Sequence, residues 1–261
     1  MTGEIDDRAV ALPNGTRMPL IGLGTWQLNG HRGYEAIRTA LELGYRHIDT
    51  ATMYRNEAEV GRAIQDSGVP REQIFITTKL PPHHTGQEQD TILASLRALG
   101  TEYVDLWLVH WPPHGASPRT WREFITARDA GLARSIGVSN YTLQQIDELR
   151  EVTGETPAVN QIRWSPSLHD PQVLAGHRKR GVVLEGYSPF KNTDLADPLL
   201  AKIASAHHVA PAQVVVRWHV HHGIVVIPKS ARPERLSANI DVYGFSLSRQ
   251  EITDIDALAR T

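Results

Sequence analysis

The sequence predicts an α/β protein, a (β/α)8 TIM barrel preceded by an N-terminal β-hairpin. Three observations carry that prediction. The chain has 261 residues, a length that suits one large barrel domain. Short apolar runs alternate with segments of helical periodicity along the whole chain, as parallel strands joined by crossover helices do. No G-x-G-x-x-G follows any of the runs, which counts against an open dinucleotide-binding sheet.

Taken in order, residues 10–22 (VALPNGTRMPLIG) place Asn14-Gly15 between apolar flanks. That is the signal of a two-residue hairpin, here expected to plug the N-terminal end of the barrel. LIGLGT at 20–25 opens the strand series. RHIDT (46–50), IFITTK (74–79), YVDLWLVH (103–110) and RSIGVS (134–139) continue it. AVNQI (158–162), VVLEGYS (182–188) and GIVVIP (223–228) bring the series to eight. Continuous Val- and Ile-rich runs of this kind suit strands buried on both faces. Between them, residues 34–44 put Ile37, Ala40 and Leu41 on one stripe, and 57–68 do the same with Val60 and Ile64. The segment 91–100 ends on Gly100, a helix stop. Further helices are expected at 120–130, 142–151, 171–180, 198–222, 233–239 and 248–259. No linker or charge block divides the chain, so residues 1–261 read as a single domain.

Composition excludes several functions. The 27 basic and 29 acidic residues leave a formal charge of −2, which gives no reason to expect nucleic acid or an anionic membrane as partner. With no cysteine there is no disulfide framework, thiolate nucleophile, Fe–S cluster or Cys-ligated zinc. The start, MTGEIDDRAV, is acidic and lacks an apolar signal region. No run approaches the roughly 18 apolar residues of a spanning helix. These readings lead to a cytoplasmic protein. His83-His84, His207-His208 and His219, His221 and His222 invite a metal reading. No acidic or Cys partner stands at ligand spacing, so no metal site is expected.

In a barrel, chemistry gathers at the C-terminal ends of the strands. There the runs end in His47-Ile48-Asp49-Thr50, Thr77-Thr78-Lys79, His110-Trp111, Ser139-Asn140, Gln161, Tyr187-Ser188 and Lys229-Ser230. Buried charges are costly unless paired, and Asp49 and Lys79 stand at neighbouring strand ends where they would pair. Singly, Asp49 reads equally as a cap or structural ion pair, Lys79 as a snorkelling side chain, and His110 as a satisfied core histidine. Three such groups at one rim are what suggest a site.

DTATMYRNEAEVGRAI (49–64) resembles the signature of the aldo-keto reductase family. The likeness continues through the lysine of TKL, LVHWP (108–112), GVSNY (137–141), VNQ (159–161), YSP (187–189) and IPKS (227–230), and covers roughly residues 8–258. It implies an NADPH-dependent oxidoreductase that reduces aldehydes or ketones, with a catalytic tetrad at Asp49, Tyr54, Lys79 and His110. Such chemistry needs a hydride at carbon, which only a cofactor can give, and a proton at oxygen. A phenol ordinarily titrates near pH 10, and a neighbouring ammonium lowers that value. Lys79 is therefore expected to bring Tyr54 nearer neutrality, Asp49 to hold Lys79, and a neutral His110 to orient the carbonyl.

The resemblance further implies that Ser139, Asn140 and Gln161 bond the carboxamide and that Tyr187 stacks on the nicotinamide. Ser188, Pro189 and Phe190 would lie along the pyrophosphate, with Thr25 and Trp26 near the nicotinamide end. Lys229, Ser230 and Arg235 resemble a 2′-phosphate clamp and Asn239 an adenine contact. Ordinary strand-end packing remains the other reading of Tyr187, and a solvated basic patch that of the clamp. Substrate-pocket candidates are Trp26, Met53, Tyr54, His110 and Trp111. Ala238 stands where the family commonly has Glu, and Ile162-Arg163-Trp164-Ser165-Pro166 departs from the family pattern. The loop 112–120 is short and the sequence stops at Thr261, which suggests an open pocket formed by the barrel rim. A monomer acting on a small carbonyl substrate is expected. Similarity to bacterial diketogluconate reductases opens a keto-sugar alternative, and a non-catalytic redox-sensing subunit is a further one.

Overall fold

A computed structural model describes residues 8–260. Strand β1 (Ala9–Ala11) pairs antiparallel with β2 (Arg17–Pro19). The Gly15 N–H donates to the Leu12 carbonyl, and the Leu12 N–H to the Thr16 carbonyl, each at 2.8 Å. The loop is therefore Pro13–Gly15, one residue longer than the sequence suggested. A two-residue turn on Asn-Gly needs left-handed backbone at both positions, whereas here only Gly15 has it, at φ 82. Asn14 serves differently. Its Oδ1 accepts from the Thr16 N–H at 3.0 Å, and its Nδ2 donates to the Arg134 carbonyl at 2.7 Å. With Leu12 and Met18 buried, the hairpin covers the N-terminal end of the barrel.

Eight strands follow as one sheet in chain order: β3 (Leu23–Gly24), β4 (His47–Asp49), β5 (Phe75–Leu80), β6 (Val104–Val109), β7 (Ala133–Ser139), β8 (Val159–Arg163), β9 (Val183–Tyr187) and β10 (Val225–Val226). All neighbouring pairs are parallel. The two edges meet, because Ile21 bridges Val226 and the Gly22 N–H donates to the Val226 carbonyl at 2.9 Å. A Cβ at Gly24 would lie 2.8 Å from the Ile227 carbonyl oxygen, so closure requires glycine there.

Among the described residues, ten helices connect and cover the strands: α1 (Gly30–Glu42), α2 (Glu57–Ser67), α3 (Glu88–Leu99), α4 (Pro118–Asp129), α5 (Leu143–Thr153), α6 (Pro171–Lys179), α7 (Pro198–His207), α8 (Pro211–His221), α9 (Pro233–Ile240) and α10 (Arg249–Asp256). The stretch 198–222, expected as one helix, is two helices bent by 87°. Its apolar period runs on, but Pro211 lacks the N–H that a continuing helix needs and forces Ala210 into extended backbone (φ −81, ψ 150). His208 ends α7 in the left-handed region at φ 56. Packing around β6 is aromatic: the Trp107 and Phe124 rings stack at 3.7 Å, so α4 is fixed against the strand that ends at the site.

Candidate active site

Side chains alternate along a strand, so His47 and Asp49 of β4 share a face, as do Thr77 and Lys79 of β5 and Gln161 and Arg163 of β8. Asp49 and Lys79 are both fully buried, 1% and 0% exposed. Their pairing is direct: Lys79 Nζ lies 2.7 Å from Asp49 Oδ1 and donates a second bond to the Thr50 carbonyl at 2.7 Å. The other carboxylate oxygen, Asp49 Oδ2, accepts from Gln161 Nε2 at 2.7 Å. Burial pushes the Asp49 carboxyl up, against the Lys79 ammonium and Gln161, and Asp49 in turn helps hold Lys79 above its ordinary value despite burial.

Tyr54 ends a short helical turn (Thr52–Tyr54) just after β4. The Lys79 ammonium lies 5.0 Å from its ring centroid. The His110 ring meets it edge-on at 5.8 Å. Burial lowers His110 to about 3, with Lys79 adding to the effect, so its ring is neutral. Tyr54 departs from the sequence expectation. Burial raises its phenol above the ordinary value, and the downward pull of Lys79 does not overcome it. The phenol thus carries its proton at neutral pH. Motif spacing brings an ammonium near, but only the fold shows how far the ring is desolvated.

A cleft of about 470 Å³ opens over these groups, lined also by Thr25, Trp26, Met53, Trp111, Ser139, Asn140, Gln161, Arg163, Tyr187, Ser188, Pro189, Phe190, Lys191 and Lys229. Trp26, Met53 and Trp111 stand 54%, 48% and 45% exposed and form its apolar rim. Rim polar groups are bonded to one another. Ser139 Oγ donates to the Gln161 carbonyl at 2.8 Å, Asn140 Nδ2 to the His110 carbonyl at 3.1 Å, and Tyr187 Oη to Asn140 Oδ1 at 2.9 Å. Thr25 holds the Asp49 carbonyl through Oγ1 at 2.9 Å. Asn56, which the sequence reading passed over, ties that segment together: its Nδ2 donates to the Thr25 and Leu28 carbonyls, and its Oδ1 accepts from Thr50 Oγ1 at 2.8 Å.

A second cavity adjoins the first at Lys229 and is lined by Ser230 and Arg235 together with Arg32, Ala231 and Arg232. Four cations meet there with no carboxylate lining the cavity, an arrangement that suits a phosphate dianion. Arg32 comes from α1 and Arg232 from the turn before α9; neither had been singled out in the sequence. Asn239 is buried in α9 and does not line either cavity. Glu185 was also missed. It is fully buried beneath the site, neither carboxyl oxygen has a hydrogen-bond partner, and His47 Nε2 lies 3.7 Å away. A lone acid inside the run VVLEGYS was the available signal.

Several of the remaining histidines have other partners. His207 pairs with Glu251 and His222 with Asp256, each at 2.9 Å, and His219 Nδ1 meets the Val215 carbonyl at 2.8 Å. Among the described residues, no group of three or more His, Asp or Glu side chains is arranged to hold a metal. No single helix among them is long and apolar enough to cross a membrane.

A closed barrel with a buried acid, lysine and histidine and a half-buried tyrosine at its C-terminal rim defines a class of oxidoreductase, and comparison with known proteins gives the family. The model of the Aldo/keto reductase family matches residues 20–260. An aldo-keto reductase of Mycolicibacterium smegmatis is 46% identical over 256 residues, covering 95% of this chain and 92% of that protein. The 2,5-diketo-D-gluconic acid reductase B of a Corynebacterium species is 42% identical over 257 residues, covering 96% and 93%. The structure of a Bombyx mori aldo-keto reductase in complex with NADP superposes with a TM-score of 0.90 at 32% identity, covering 96% of this chain and 92% of that one. The chain belongs to the Aldo/keto reductase family. It is a carbonyl oxidoreductase, and NADPH is the cofactor of the family.

Proposed function

We propose that the chain reduces aldehydes or ketones to alcohols with NADPH, that Tyr54 delivers the proton to the carbonyl oxygen, and that residues 1–261 form one catalytic domain. The observation that carries this reading is a phenol lining an apolar-rimmed cleft, its ring 5.0 Å from a buried ammonium and edge-on to an imidazole that burial holds well below its ordinary value. When bound, the nicotinamide supplies the hydride that no side chain can donate.

The chain's own groups supply the rest. His110, neutral, donates a hydrogen bond that orients the carbonyl oxygen toward Tyr54. The Tyr54 Oη–H passes its proton to that oxygen as negative charge develops there. Lys79 stabilises the phenolate left behind, and Asp49 fixes Lys79 in place. Gln161 bonds Asp49 and, with Ser139 and Asn140, meets the carboxamide. Tyr187 stacks on the ring; Thr25 and Trp26 border it; Ser188, Pro189 and Phe190 follow the diphosphate. Lys229, Ser230 and Arg235 take the 2′-phosphate; Asn239, buried behind them in α9, takes no direct part. The four cations around the second cavity, none of them in an ion pair among the described residues, support NADPH over NADH.

The exposed Trp26, Met53 and Trp111 favour substrates with an apolar flank. A keto-sugar substrate is the second reading, supported by the corynebacterial relative named for 2,5-diketo-D-gluconic acid. We place the enzyme in the cytoplasm as a monomer. The test is a panel of aldehydes, keto acids, diketones and keto-sugars, followed by loss of NADPH absorbance. Turnover of reactive aldehydes supports the main reading, and turnover confined to keto-sugars supports the second. No turnover of any of them, with the cofactor bound, would point to the non-catalytic sensing role.

A further inference from the structure

Glu185 takes no part in the chemistry above, yet it lies beside the groups that perform it. On β9 it is the register partner of Gln161, whose amide bonds Asp49 Oδ2 at 2.7 Å. Register partners of neighbouring strands point to the same face of a sheet, so Glu185 shares the barrel interior with Gln161. There its carboxyl lies 3.7 Å from His47 Nε2. Its other strand neighbour, β10, contributes only Val225 and Val226. The titratable groups that bear on it are therefore His47 and Asp49 of β4 and Lys79 of β5.

A buried carboxylate needs a cation, and this one has none. Glu185 is fully buried, and neither of its oxygens has a hydrogen-bond partner. Lys79 Nζ is committed to Asp49 Oδ1 and the Thr50 carbonyl. Burial lowers His47 to about 3, so its ring is neutral. Among the described residues, no lysine or arginine forms an ion pair with Glu185. It therefore holds its proton at neutral pH; burial, and after it the Asp49 charge, push it up to about 8. Once that proton leaves, two carboxylates bear on one ammonium, because Lys79 feels Glu185 as well as Asp49.

Tyr54 becomes a phenolate as it gives up its proton, and the Lys79 ammonium stands 5.0 Å from its ring. We propose that Glu185 is a positioning residue for this transfer: as a neutral acid it leaves the Lys79 charge to Asp49 and Tyr54, and as a carboxylate it draws that charge away from the phenolate and slows reduction. Charges act on one another more strongly in such a dry interior than in water. The inference rests on the proposed role of Tyr54 as the donor.

The test is the single-turnover rate of NADPH oxidation by a reactive aldehyde, read by stopped flow from pH 6 to 9 in NADPH-loaded wild type and Glu185→Gln. A group titrating near 8 passes from about nine-tenths to about one-tenth protonated between pH 7 and 9, so the wild-type rate should fall by about fivefold or more. Glu185→Gln cannot ionise there, and its rate should change by less than about twofold over that range. Near-UV circular dichroism and the NADPH dissociation constant, measured at each pH, separate this effect from unfolding and from weaker binding. Should Glu185→Gln not fold, Glu185→Met, uncharged and of similar volume, takes its place. A wild-type rate that stays level to pH 9, or a fall that the uncharged variant shares, overturns the inference. Near-wild-type turnover in Tyr54→Phe would instead overturn the proposed function on which it rests.

Discussion

Replacing Glu185 by Gln should stabilise the protein increasingly as pH rises. Glu185 is 0% exposed with both carboxyl oxygens unbonded. Burial, with the Asp49 charge adding to it, raises its carboxyl from an ordinary 4.5 to about 8. The folded protein thus keeps a proton that the unfolded chain has lost. The stability that this proton represents is fully present below pH 4.5 and is lost as pH rises toward 8. At about 1.4 kcal/mol per pH unit, the whole loss is about 5 kcal/mol. Between pH 5 and 8 it is on the order of 3–4 kcal/mol. Gln is neutral and nearly isosteric, so the variant escapes that loss. His47, lowered to about 3 by burial, titrates in both proteins and subtracts out. Urea unfolding of the two proteins at pH 5, 6, 7 and 8 measures the difference directly. It should widen by about 3 kcal/mol, or about 10 °C in Tm for a chain of this size. A difference that stays constant across that range would refute the reasoning, because it would mean that Glu185 ionises freely in the folded protein.

Other consequences follow from the same contacts. Asp49→Asn leaves the Lys79 ammonium buried without its counter-charge, so stability should fall by about 3–5 kcal/mol, with turnover falling as well; denaturant midpoints and initial rates check both. Arg235→Ala should weaken NADPH by about tenfold while leaving NADH within about twofold, and equal losses in fluorescence titration would break the clamp argument. A Cβ at residue 137 would lie 2.6 Å from the Val159 carbonyl oxygen. Gly137→Ala should therefore cost about 1–3 kcal/mol by urea unfolding.

The strand series, and with it the barrel, was legible because fully buried parallel strands write themselves as apolar runs. The Asp49–Lys79 contact was legible for the same reason, since two charges at neighbouring buried strand ends have little choice of partner. The break between α7 and α8 was present in the sequence as Pro211, but the apolar period runs through it. The hairpin loop was misjudged by one residue because Asn14-Gly15 fits more than one turn, and only the hydrogen bonds choose between them. Arg32 could not be read at all, as it stands about 200 residues before Arg232 and Arg235 in the chain and only barrel closure brings them to one cavity. Tyr54 shows the limit most clearly. Its neighbours follow from motif spacing, but the sign of its shift depends on how much water the folded cleft removes, and that raises its pKa where the ammonium alone would lower it.

The reversed sign also sharpens the central claim, that Tyr54 gives up a proton it firmly holds. The measurement that tests it most directly is the turnover of Tyr54→Phe set beside its NADPH dissociation constant. The account predicts unchanged NADPH affinity, within about twofold, and a loss of roughly 10²-fold or more in turnover of a reactive aldehyde. Near-wild-type turnover in that variant would contradict it.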